Sequence, residues 1–264
     1  MPYANNDGVR IYYEVTGDGF PLVLQTGGGG DHNMWREAGY VDGLSGFRLI
    51  LLDHRGHGQS DKPAGFEAHR VARYVADVLA VLDALALPRA AFWGYSAGWR
   101  AGYALAAAYP ERLTALIASG AIGPTDYSDP ARRQEVAELA ALVRARGVGG
   151  LTTELEADEG MTFPGWFRRQ LDETDAEMFA LEVLGTDTWD GPWSLLDHIA
   201  APTLMLVGQR EDPDGDNPRA AVRMPRARCV TLDGLGHVGA YLRSDLALAH
   251  AVPFLREVAS KEGK

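Results

Sequence analysis

The sequence predicts an α/β protein: a mostly parallel central sheet with helices on both faces and a helical cap inserted over one edge. Three observations carry this reading. Short apolar runs bounded by Gly, Pro or Asp recur along the chain and have the character of strands buried on both faces, as parallel strands are. Helical patterns separate several of these runs, and strand–helix alternation is how a parallel sheet is written. The rhythm stops between residues 124 and 199, where Glu-, Arg- and Ala-rich helical stretches occur without a convincing strand.

Taken in order, VRIYYEV at residues 9–15 places Val9, Ile11, Tyr13 and Val15 on one face, and the NDG before it suits a hairpin turn. Six more strands follow at 21–26, 47–53, 90–95, 113–119, 202–208 and 227–232. Helices are expected near 67–86, 97–109 and 239–258, and in the insertion over DPARRQEVAELAALVRAR and DETDAEMFALEVLG. The expected organisation is a core built from 1–123 and 200–264, with a cap of residues 124–199 over the carboxyl edge of the sheet.

Composition narrows the function classes. A chain of 264 residues, 46% hydrophobic, can bury a substantial core. Cys229 is the single cysteine and can form no internal disulfide, and the opening MPYANNDGVR lacks the basic segment and apolar run of a secretory signal. The expected location is the cytoplasm. No stretch approaches the roughly 20 apolar residues of a membrane span. The net charge of −11, without a basic patch, argues against nucleic acid as a partner.

The chemistry is concentrated at three strand ends. Gly94, Ser96 and Gly98 form G-x-S-x-G where a buried strand turns into a helix. The pattern alone is weak, since any tight turn favours small residues. At a strand–helix turn, however, it exposes the hydroxyl above the sheet beside a helix amino end. A serine needs a base, because its hydroxyl is a poor nucleophile near pH 7. Of seven histidines, His237 in LDGLGHVGAY follows the last strand and is the favoured base. His198 and His250 are poorly placed. The acid belongs after the strand at 203–208, where Glu211, Asp212, Asp214 and Asp216 compete. Asp212 is preferred because Pro213 restricts its backbone, with Glu211 the rival and Asp126 a fallback. His54 and His57 form H-x-x-H but lack a third ligand at suitable spacing, so no metal is expected. The glycine run QTGGGGD fits neither G-x-G-x-x-G nor a P-loop, and no nucleotide or other cofactor is expected.

These motifs, together with DHRGHGQSDKP at 53–63, NDGVRIYYEVTGDGFPLVL near the start and the closing GLGH, resemble the α/β-hydrolase family. The similarity is greatest to its enol-lactonase-like and carboxylesterase-like members and covers nearly the whole chain. It implies a Ser96–His237–Asp212 triad, with backbone N–H groups of Gly28 and Ala97 holding an oxyanion. Thr26 stands where the family usually has histidine, and Gly29 is the alternative to Gly28. Trp99 replaces a small residue and could pack beneath the site or narrow it. Serine at the elbow argues against the family's haloalkane dehalogenases and epoxide hydrolases. The expected activity is hydrolysis of a small or medium ester or lactone. Carbon–carbon bond cleavage, amide hydrolysis, acyl transfer and ligand binding without catalysis are the alternatives. Phe163, Trp166, Phe167, Phe179, Trp189 and Trp193 in the cap suggest a mainly apolar pocket wall for a substrate with an apolar portion, with Trp99, Trp166, Trp189 and Trp193 the candidate pocket residues.

Overall fold

Eight strands form one sheet in the order β1-β2-β4-β3-β5-β6-β7-β8. The computed structural model describes residues 2–120, 129–186, 188–189 and 191–262. The strands are β1 (Tyr3–Asn6), β2 (Val9–Thr16), β3 (Phe20–Gln25), β4 (Phe47–Leu52), β5 (Ala90–Tyr95), β6 (Leu113–Ser119), β7 (Thr203–Gly208) and β8 (Ala227–Leu232). β1 and β2 make a hairpin across Asp7-Gly8, β2 pairs antiparallel with β4, and every later pairing is parallel. The seven expected strands are present. The added β1 is only four residues long and carries the turn's other arm.

The helices are α1 (Asn33–Glu37), α2 (Tyr40–Gly43), α3 (Val71–Ala84), α4 (Gly98–Ala108), α5 (Pro130–Arg146), α6 (Thr152–Glu159), α7 (Gly165–Glu173), α8 (Ala176–Thr186), α9 (Asp216–Arg223), α10 (His237–Leu242) and α11 (Ser244–Glu262). Alternation along the strands sorts side chains between two apolar layers: Leu22, Leu24, Leu49, Leu51, Ala91 and Trp93 face one, and Val23, Ile50, Leu52, Ala90 and Phe92 the other. Helix α3 covers the second layer with Tyr74, Val75, Val78, Val81 and Leu82, a helical stripe of i, i+4, i+7 and i+8 from Tyr74 with Val75 beside it. Helix α11 covers the first with Ala247, Ala251, Phe254, Leu255 and Val258. The helix expected over 239–258 is two helices, with Arg243 at the break (φ −91°, ψ 58°).

Among the described residues of the insertion there are helices and no strand. Several of its contacts fall on segments that follow the carboxyl ends of strands. Thr174 Oγ1 donates to the Gly29 carbonyl at 3.1 Å, Lys62 pairs with Asp175 at 3.1 Å, and the Val238 and Gly239 amides donate to Glu159 at 2.8 and 3.1 Å. No helix among the described residues is long and apolar enough to cross a membrane.

The sequence DHRGHGQSD is a folding device. Asp53, fully buried, accepts from the His32 and Gln59 amides at 2.6 and 2.9 Å, and Ser60 Oγ donates to the Asp53 carbonyl at 2.5 Å. Gly58 is left-handed (φ 50°), and a Cβ there would fall 2.1 Å from the Asp53 carboxylate. Arg55 forms a fork on buried Asp77 of α3 at 2.7 and 2.6 Å. The loop thereby binds β4 to α3 and to the segment after β3.

Candidate active site

Strand order reverses at β3 and β5: the chain leaves β3 for β4 on one side, and β5 then lies on the other. Loops leaving the carboxyl ends of such a pair diverge and open a crevice, the usual ligand site of an open α/β sheet. The two loops here are the glycine run after β3 and the turn carrying Ser96 after β5.

Ser96 has a left-handed backbone (φ 54°), one of three non-glycine residues so placed among those described. Such strain persists only where the surroundings fix it. Here its amide donates to the Ser119 carbonyl at 2.9 Å, and the neighbouring glycines leave no alternative path. A Cβ on Gly94 would lie 2.5 Å from the Gly98 carbonyl, one on Gly98 2.6 Å from the Gln25 oxygen, and one on Gly27 2.5 Å from the Ser96 Cβ. The G-x-S-x-G spacing is therefore the room the turn needs.

His237, the first residue of α10, brings Nε2 to 2.9 Å from Ser96 Oγ. Its Nδ1 lies 2.6 Å from Glu211 Oε2, and the other oxygen of Glu211 accepts the Gly208 amide at 2.9 Å. The ring stacks on Tyr95, 5.0 Å between centroids. Burial works against the protonated imidazole, but the hydrogen bond and charge of Glu211 outweigh it and raise the His237 pKa above its ordinary value. Glu159, reaching from α6, holds the Val238 and Gly239 amides at the start of α10 and adds to that rise.

A cavity of about 260 Å³ opens beside Ser96, bordered by Gly28, Ala97, Arg100, Phe179, Glu182 and Thr186, among others. Gly28 faces Phe179, and a Cβ there would come within 2.7 Å of that ring.

A family model described as the alpha/beta hydrolase fold matches residues 21–240. The chain belongs to this family. Along 98% of its length it is 35% identical to a protein named "Putative carbamate hydrolase RutD" from Azorhizobium caulinodans, 99% of which is covered. The enol-lactonase from Burkholderia xenovorans LB400 is 27% identical, with a TM-score of 0.77 over 97% of this chain and all of that one. A thermophilic esterase from Thermogutta terrifontis has the same fold, with a TM-score of 0.84 at 24% identity over 98% of both chains.

In this alpha/beta hydrolase Ser96 and His237 meet as expected, and Gly28 and Ala97 border the cavity beside the serine. Gly29 does not border it, and its carbonyl accepts from Thr174. Asp212 is corrected to Glu211. Residues 209–211 form a 3-10 turn straight after β7, which carries Glu211 beneath His237. Asp212, neither helical nor, as the proline after it predicts, extended (φ −126°, ψ 57°), points instead at α9. Its oxygens accept the Asp216 and Asn217 amides at 2.8 and 3.1 Å. Asp126 lies outside the described residues.

The pocket tryptophans are also corrected, since none of the four borders this cavity. Trp99 is buried against Tyr103 and Trp189, and Trp189 and Trp193 pack on the core layer above α4. Trp166 packs on Phe167 in the opposite layer. Of the six cap aromatics only Phe179 reaches the cavity. Charged groups interrupt an apolar wall: Val136, Leu139 and Val183 stand among Arg100, Arg132, Glu135 and Glu182. His54 and His57 face Glu182 at 3.4 and 3.2 Å. Burial, with His54 beside it, holds the His57 imidazole down to about 4, so it is neutral near pH 7. Arg100 had a readable signal, one helical turn beyond Ser96 on the same face. Glu182 and Glu159 had none, being set by how distant helices dock.

Proposed function

We propose that this chain is a serine hydrolase that cleaves a compact carboxylic ester or lactone through an acyl-enzyme. The observation that carries the reading is the hydrogen-bonded line from Glu211 through His237 to Ser96, at 2.6 and 2.9 Å. His237 Nε2 takes the proton of Ser96 Oγ as the oxygen attacks the carbonyl carbon. Glu211 holds the Nδ1–H tautomer and stabilises the imidazolium that forms. The developing oxyanion is held by the backbone N–H groups of Gly28 and Ala97, the latter at the amino end of α4. The imidazolium protonates the leaving oxygen, and a water activated by the same base releases the acyl group. The cavity, below the roughly 300 Å³ at which drug-sized ligand sites begin, favours a small substrate. Its charged wall favours one that carries polar groups beside its apolar portion.

A carbamate is a second substrate class, favoured by the near full-length similarity to the RutD protein. Its carbonyl presents the same geometry to Ser96. The test is a panel of short p-nitrophenyl esters, lactones and carbamates, with Ser96→Ala as control and a fluorophosphonate probe to locate the nucleophile. Hydrolysis and labelling that both vanish in Ser96→Ala support the reading. Labelling of another serine, or full activity in the variant, refutes it.

A further inference from the structure

The loop after β4 and helix α8 meet in a buried cluster that the proposed serine chemistry does not use. His54 and His57 come from the loop and Glu182 from α8, 128 residues beyond His54. Their side chains are 1%, 4% and 3% exposed. His54 Nε2 and His57 Nε2 stand 3.4 and 3.2 Å from one carboxylate oxygen, Glu182 Oε2, and one ligand atom from each residue lies within 4.8 Å of the other two.

A hydrogen bond from His54 to Glu182 accounts for one of these contacts but not for the other. His57 Nδ1 lies 3.5 Å from the Arg55 carbonyl, a contact that ring can make only as an N–H donor. Nε2 faces the carboxylate oxygen at 3.2 Å without a hydrogen bond to it. His57 Nε2 and Glu182 Oε1 are buried without a hydrogen-bond partner. A cation held by His54 Nε2, His57 Nε2 and Glu182 Oε2 gives the His57 nitrogen a partner. The two nitrogen–oxygen distances suit one: two ligands at about 2.0–2.1 Å in tetrahedral directions stand about 3.3 Å apart.

We propose that His54, His57 and Glu182 form a site for one divalent ion of the zinc class, tying α8 of the insertion to the loop after β4. Two imidazoles and a carboxylate are a donor set for such an ion, and three protein ligands leave a coordination position open. Because Glu182 also borders the cavity beside Gly28, the ion fixes a wall of the candidate active site. The site stands apart from the Ser96 chemistry, and its test reads metal directly.

Tag-free full-length protein, stripped with chelator, is equilibrated with Zn²⁺ and its metal content measured, and a parallel sample is titrated with Co²⁺. The expected result is about one Zn²⁺ per chain and the intense visible absorption of four-coordinate cobalt. His57→Ala and Glu182→Gln should each weaken binding at least tenfold, while replacing exposed His250 leaves it unchanged. Near-UV circular dichroism in chelator shows whether each variant is folded. Absence of stoichiometric Zn²⁺ and of the cobalt absorption in the unaltered protein overturns the site, whatever the variants do. So does uptake that persists undiminished in both folded variants, which leaves a water-filled hydrogen-bond cluster.

Discussion

Exchanging the charge on Glu211 tests the candidate site most sharply, because its neighbour Asp212 serves as an internal control. Both oxygens of Glu211 accept N–H donors, from His237 Nδ1 at 2.6 Å and from the Gly208 amide at 2.9 Å. Glutamine has one acceptor oxygen and one NH₂ group, so Glu211→Gln can serve only one of those donors. If the oxygen stays with Gly208, the NH₂ faces Nδ1 and selects the tautomer with its proton on Nε2. That tautomer cannot accept a proton from Ser96. If the oxygen stays with His237, an N–H of the amide is pressed on the Gly208 N–H, and the negative charge beside the imidazolium is lost either way. The corresponding Asp-to-Asn exchange in the best-studied triad lowers kcat about 10⁴-fold, or about 5 kcal/mol of transition-state stabilisation.

Asp212→Asn perturbs a different thing. The side chain holds the first amides of α9, so its loss resembles loss of a helix cap, about 1 kcal/mol of stability with kcat within roughly threefold. The assay is kcat on the best ester of the panel, with urea denaturation of each variant to establish that it is folded. Equal losses in the two variants, or a Glu211→Gln protein that keeps more than about a tenth of its kcat, refutes the assignment of Glu211.

Four further outcomes are expected. Since Glu211 raises the His237 pKa against the opposing effect of burial, kcat/KM should rise with pH to a half-maximum above the ordinary 6.5, and a profile flat from about pH 5 to 9 with chemistry rate-limiting contradicts this. The sign for folding is opposite: a raised native pKa gives stability that is full below the unfolded value and fades as pH climbs through the native one, so denaturant midpoints of the unaltered protein and His237→Gln should converge in that window. Asp77→Ala leaves Arg55 buried without its carboxylate fork and should cost about 3–5 kcal/mol in urea unfolding; a loss under about 1 kcal/mol shows that the pair is dispensable. Phe179→Ala should change the ratio of kcat/KM between short and long acyl chains while Trp166→Ala does not, and the reverse pattern returns the pocket to the tryptophans.

The parts of the fold that were legible in sequence are those written in local backbone geometry. Gly94, Gly98 and Gly58 stand where a Cβ would collide with backbone or a buried carboxylate, so a strained serine turn and a folded-back loop leave a fixed trace in the chain. The buried strands are legible because both faces need apolar residues. The 3-10 turn at 209–211 was not. Its QRE has no apolar period, and pairing a proline with the residue before it predicts an extended Asp212 that the structure does not show, and does not say where the side chain of Glu211 goes. The pocket tryptophans failed for a related reason. Large apolar side chains are core material first, and Trp99 and Trp189 satisfy that demand against each other.

What the insertion contributes was the least legible, and the cause is physical. The apolar stripe of a helix says which face is buried but not what it is buried against. Helix α6 has no buried residue at all, so Glu159 reads as one more carboxylate on a polar helix. Only when α6 docks does that carboxylate accept two amides at the amino end of α10, the helix whose first residue is His237. Helix α8 does the same for the other end of the site: Glu182 is placed by packing against the loop after β4, and it meets His54 and His57 there. The insertion thus reaches the base from one side through Glu159 and the cavity wall from the other through Glu182 and Phe179, not through the tryptophans. Changes to its helices should therefore be felt at His237 as well as in substrate choice.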